Sequence, residues 1–124
     1  MKVLLAIMVG GAIGSVLRFG LAKMMQKVLA SDFPYGTLTV NVLGSLAIGF
    51  LSVMLLERWS SSVELRAFII VGLLGGFTTF SAFSLETVTL FESGEPLKAL
   101  LNVVSSVVLC CTATWLGILT GRSL

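Results

Sequence analysis

The sequence predicts an all-α membrane protein: one transmembrane domain over residues 1–124 that crosses the bilayer with four helices. Three observations predict it. Of 124 residues, 56% are apolar and 11% charged, and the mean hydropathy is +1.07; a soluble domain carries about 25% charged residues, and a chain this apolar would present aggregating patches to water. Charges also punctuate the chain at the spacing of membrane spans. Lys2 to Arg18 encloses 15 uncharged residues, Asp32 to Glu57 encloses 24, Arg66 to Glu86 encloses 19 and Lys98 to Arg122 encloses 23, against the roughly 20 that cross a hydrocarbon core. Finally, clusters of turn formers fill the connections Ser31–Gly36, Ser60–Ser62 and Ser93–Pro96, and these hold both prolines.

The same numbers exclude whole classes of function. A net charge of +2, scattered along the chain, makes no footprint for nucleic acid. With no histidine, the commonest general base and the commonest metal ligand are both missing. Cys110 and Cys111 are neighbours about 100° apart on a helix and cannot pair with each other. Neither a soluble enzyme nor a disordered tail fits.

The first span is placed at 3–26. Lys2 followed by Val3–Val9 imitates the start of a secretory signal, but the apolar stretch outruns a signal and three more spans follow. Gly10 and Gly14 stand four apart, a spacing that permits close helix contact. Arg18 lies farther along, where its aliphatic stem can pack or snorkel.

In the second span, 37–56, Thr37, Asn41 and Ser45 form a stripe at i, i+4 and i+8 on one face. Asn41 must find partners, because hydrocarbon offers none. The fourth span, 97–120, repeats the pattern with Asn102, Ser106, Cys110 and Thr114. Each stripe reads either as interhelical glue or as a polar track between helices.

The third span, 66–92, holds Gly72, Gly75, Gly76, Thr78, Thr79, Phe80, Ser81, Ala82, Phe83 and Ser84. Paired mid-span glycines weaken a helix by about 1 kcal/mol each relative to alanine, and the threonines resemble an N-cap that starts a new one. A break near the bilayer centre is expected, with freed carbonyls suited to a hard cation such as Na⁺. An unbroken helix packed through its glycines is the plainer alternative. Phe80 and Phe83 share one side of the second half, and the positive edge of a phenyl ring can stabilise an anion. Glu86 is an acid within the apolar stretch.

Four helices leave both termini on one side. That side carries Lys2, Arg58, Arg66 and Arg122, and the other carries Arg18, Lys23, Lys27 and Lys98. Orientation follows the Lys/Arg excess, which here vanishes. Either the chain inserts both ways and pairs with an inverted copy, or one loop charge or a partner decides.

Over essentially its full length the chain resembles the small bacterial fluoride channels of the CrcB/Fluc family. The residues that carry the likeness are Gly10, Gly11, Gly14 and Arg18; Gly36, Thr37, Leu38, Asn41 and Gly44; and the run Gly75–Ser84. Two positions depart from the family pattern: Ala82 and Cys110, where hydroxyl residues are usual. The resemblance implies an antiparallel, dual-topology homodimer in the bacterial inner membrane. It also implies two fluoride pores and a central structural Na⁺ on the carbonyls of Gly75 and Thr78. It assigns Phe80 and Phe83 to the pore phenyls, Asn41 to the pore amide and Ser81 to a pore hydroxyl. Ser106 and Thr114 go to the polar track, Glu86 to an acidic site near one pore end and Arg18 to the aqueous vestibule.

Residue physics suits that role. Fluoride holds its water tightly, so a dry path must supply donors in its place, yet conduction requires weak and multiple sites. The competing readings are a proton-coupled small multidrug transporter, which wants a carboxylate in the first span, and a structural subunit of a larger complex.

Overall fold

The computed structural model describes Met1–Leu124 and is helical throughout. We number the helices α1 (Lys2–Leu29), α2 (Tyr35–Arg58), α3 (residues 63–77), α4 (Phe80–Glu92) and α5 (Pro96–Ser123). α3 and α4 together make the third of four apolar stretches long enough to cross a membrane. A helix of 28 residues such as α1 is about 42 Å long at 1.5 Å per residue. The helices therefore run past the apolar runs that suggested them and carry their charged ends to headgroup depth.

Capping explains where the helices stop. α1 ends at Ala30 in the left-handed region (φ 40°), whose N–H returns to the Gln26 carbonyl. The Gln26 side chain then organises the turn: Nε2 donates to the carbonyls of Ser31 and Phe33, and Oε1 accepts from the Gly36 N–H at 3.1 Å. Ser62 caps α3 by accepting from the Leu65 N–H at 3.1 Å. Pro96 opens α5, a position where its missing N–H costs nothing.

Small residues set the packing. α1 lies against α3: Gly10 meets Gly72, Gly14 meets the backbone of Leu73 and Phe77, and Gly76 meets Gly11, all within the same chain. A Cβ on Gly72 would stand 2.8 Å from the Ile7 carbonyl, and one on Gly76 would stand 2.7 Å from that of Gly11. α2 packs along α5, where Gly49 and Gly117 bring the two backbones together. Residues 67–74 are wound as a wider π-helix between α-helical ends.

The buried core is thin: 21 of 124 residues, led by Val40 and Leu55, with Asn102 as the most deeply buried polar side chain. Leu4, Met8, Val16, Phe80, Leu97 and Trp115 all face outward. Apolar surface all round is what lipid and a further membrane-embedded partner would cover.

Candidate functional site

The third span is interrupted at Thr78 and Thr79, both extended (φ −86°, ψ 157° and φ −151°, ψ 114°). The glycines themselves do not break it. Gly75, Gly76 and Phe77 stay helical, Gly76 serving the contact with α1, and the chain leaves the helix only afterwards. Thr79 is the N-cap of α4, its Oγ1 accepting from the Ala82 N–H at 3.1 Å. Thr78 bonds back instead, its Oγ1 donating to the Leu74 carbonyl at 3.0 Å. Of the two candidate caps, one starts the new helix and the other finishes the old.

Asn41 explains why the interruption persists. In an unbroken helix the Thr79 N–H would bond the Gly75 carbonyl four residues back. Here it donates to Asn41 Oδ1 at 2.7 Å, while Asn41 Nδ2 donates to the Thr79 carbonyl at 2.9 Å. One side-chain amide thus satisfies both peptide groups of Thr79. The Gly76 carbonyl is taken by Arg18 Nε at 2.9 Å. The carbonyls of Gly75 and Thr78 accept no hydrogen bond within the chain.

Those two carbonyls belong to residues lining a cavity of about 450 Å³, together with Asn41, Ser45, Phe80, Phe83, Ser106 and Cys110. No lining side chain is charged. Phe80 and Phe83 lie with ring centroids 5.2 Å apart at 50°; Phe83 is buried at 9% exposure whereas Phe80 is 77% exposed. A second cavity lies on the other side of the interruption, lined by Ser15, Arg18, Lys23, Thr37, Glu86 and Thr79 among others. Thr79 borders both. Glu86 Oε1 is buried with no hydrogen-bond partner.

The expected site residues therefore divide. Asn41, Phe80, Phe83, Ser106, Gly75 and Thr78 meet at the first cavity, and Arg18 and Glu86 at the second. Ser81 stays beside the cap, its Oγ 3.3 Å from Thr79 Oγ1. Thr114 lines neither cavity and donates to the Ser45 carbonyl at 3.0 Å, tying α5 to α2. The α5 stripe thus borders the first cavity in its middle, at Ser106 and Cys110, and bonds neighbouring helices at Asn102 and Thr114. Sequence reasoning missed Gln26, the only glutamine in the chain; a lone amide at the end of an apolar run was its signal. It also missed that the partner of Asn41 is a peptide group.

Comparison with known proteins gives a consistent result. Residues 5–118 match the family described as CrcB-like protein, Camphor Resistance (CrcB). A fluoride-specific ion channel FluC of Methylococcus capsulatus is 52% identical over 121 residues, 98% of this chain but 53% of the relative, so the chain spans about half that protein's length. One from Coxiella burnetii is 47% identical over 125 residues, covering both chains fully. A third, from Geobacter sulfurreducens, is 48% identical over 124 residues, again covering all of both.

Proposed function

The chain belongs to the CrcB-like family, and on that premise we infer that two copies, packed antiparallel, form a passive fluoride-selective channel with two pores that releases cytoplasmic fluoride. It is a multi-pass membrane protein of bacteria, an ion channel and not an enzyme.

The observation that carries the reading is an uncharged, mostly apolar cavity beside a helix interruption, with the polar groups of Asn41 and Ser106 and two phenyl rings around it. Fluoride entering it must shed water. One Asn41 N–H is committed to Thr79, which leaves the amide's second proton to offer an anion. The Ser106 hydroxyl and the ring edges of Phe80 and Phe83 add weaker attraction. Without a lysine or arginine in the lining, the ion is stabilised but not trapped.

The antiparallel pair draws support from two features. Lys and Arg are balanced four against four between the two sides. The first cavity, moreover, is bordered by the outward-facing Phe80, so that one chain does not enclose it.

An interruption near mid-membrane is supported by the comparable lengths of the helices that flank it. Backbone left unpaired at that depth calls for a partner. Na⁺ fits the Gly75 and Thr78 carbonyls, because hard cations prefer oxygen donors and this chain has no cluster of acidic, Cys or His side chains to offer instead. When bound, Na⁺ supplies a fixed positive charge near the path. Ser81 and Glu86 keep their proposed places in the pore and Arg18 its place in the vestibule, whereas the Thr114 hydroxyl is engaged in tying α5 to α2.

The transporter reading lacks its carboxylate, since α1 contains neither Asp nor Glu. Growth tests the function directly. Bacteria lacking their own fluoride exporter should tolerate added fluoride when they express this chain; continued sensitivity despite membrane insertion would refute the reading.

A further inference from the structure

Asn102 is 2% exposed and belongs to neither cavity. Its Nδ2 donates to Thr87 Oγ1 at 2.9 Å, and Thr87 Oγ1 in turn donates to the Phe83 carbonyl at 2.7 Å. The threonine hydroxyl is therefore acceptor and donor at once, a relay from α5 through α4 to the peptide that carries a cavity phenyl. Linked bonds of this kind polarise and strengthen one another.

Position makes the relay consequential. Thr87 lies four residues after Phe83 on α4, and Asn102 lies four residues before Ser106 on α5. The link thus sits one turn from the cavity on both helices, and the two residues it neighbours, Phe83 and Ser106, line that cavity together. α4 has few other supports: it packs chiefly on α5 and only slightly on α2. Its start is fixed by the Thr79 cap, but a cap alone leaves a helix free to rotate and slide.

We propose that Asn102 and Thr87 form a positioning lock that sets the rotation and height of α4 against α5 and so places Phe83 opposite Ser106 in the ion path. The proposal rests on the channel reading. Apolar packing resists sliding weakly among similar side chains, whereas one directional bond in a dry setting defines a single register. Neither residue touches the ion.

Valine copies the shape of threonine without its hydroxyl, and serine keeps the hydroxyl without the methyl. Purified parent, Thr87→Val, Thr87→Ser, Asn102→Leu and the Thr87→Val/Asn102→Leu double variant are compared in liposomes, with fluoride efflux read by electrode and assembly by size-exclusion chromatography. Thr87→Val and Asn102→Leu should each slow fluoride about five- to tenfold, the worth of one interhelical hydrogen bond, with assembly unchanged. The double variant should lose no more than either single one, because both remove the same bond. Thr87→Ser should conduct like the parent. Efflux from Thr87→Val equal to the parent's, or losses that multiply in the double variant, would overturn the lock. So would a Thr87→Ser loss as deep as that of Thr87→Val, which makes the effect one of packing. If Asn102→Leu does not assemble, the valine and serine pair decides alone. A parent that passes no fluoride defeats the channel reading itself, whereas a conducting parent with an indifferent Thr87→Val defeats only the lock.

Discussion

Arg18 on α1 donates from Nε to the carbonyl of Gly76, 58 positions later, at 2.9 Å. The bond gives a charged group in an apolar helix a polar partner, and it satisfies a carbonyl that the interruption exposes. Arg18→Leu should therefore lower stability by about 1–3 kcal/mol, the usual cost of orphaning a partly buried acceptor. Denaturant or thermal melts in detergent measure it, and an unchanged midpoint would show the bond to be incidental.

Asn41 holds the break by occupying both peptide groups of Thr79. Asn41→Leu allows the Thr79 N–H to return to the Gly75 carbonyl; fluoride flux should fall, and any stabilisation of the protein by added Na⁺ should disappear. Asn41→Asp keeps the acceptor, so Na⁺ should still raise the melting temperature while the new negative charge repels fluoride. Melting with and without Na⁺ separates the two cases. Identical Na⁺ responses in the two variants would contradict this role.

Phe80→Ile and Phe83→Ile should each cut fluoride flux about fivefold, as loss of a ring-edge contact worth about 1 kcal/mol implies, with the oligomer intact. Phe80 is 77% exposed, so its replacement should leave folding within the chain untouched. Phe83, being buried, should also lose some stability, by about 1 kcal/mol for a hydrophobic swap of similar size. Flux unchanged in both variants would return the rings to packing.

Gly76→Ala places a methyl 2.7 Å from the Gly11 carbonyl, with both partners backbone and unable to swing away. Separation of α1 from α3 should cost about 1–3 kcal/mol and disturb the Arg18 bond as well. Thermal melts of the single variant, and of Gly76→Ala with Arg18→Leu, should show non-additive losses.

At the edge of the apolar stretches, Lys98 in the first turn of α5 bonds Asp32 in the loop between α1 and α2 at 3.0 Å and holds that carboxyl below the ordinary carboxylate range. Its contribution is present above the unfolded pKa of about 4 and is lost as pH falls through the lower folded value. Both groups are exposed to solvent, so Asp32→Asn should shift the melt only slightly at neutral pH and not at all in strong acid. A large neutral-pH shift would show a role beyond this pair.

Four spans were legible because charge is costly in hydrocarbon, so Lys2, Asp32, Glu57, Arg66, Lys98 and Arg122 mark the edges. The interruption was legible too, down to the threonine that caps the new helix, although the end of the old helix was not. Gly75 and Gly76 look like the weak point, but close packing on α1 holds them helical, and the turn passes to Thr78 and Thr79. What stayed hidden were partners. Asn41 announces that it needs one, but nothing local says that it is a peptide 38 positions on. Asn102 and Thr114 share a stripe with Ser106 and still turn to other helices, because a helix wide enough to touch two neighbours presents one stripe to both.

The central claim is that neutral dipoles suffice to carry fluoride across. Efflux from liposomes holding the purified protein tests it most directly, with fluoride and chloride gradients followed by separate electrodes and no other driving force imposed. The account predicts that the fluoride gradient collapses while the chloride gradient persists. Chloride escaping as fast as fluoride, or fluoride retained in vesicles shown to hold assembled protein, would contradict it.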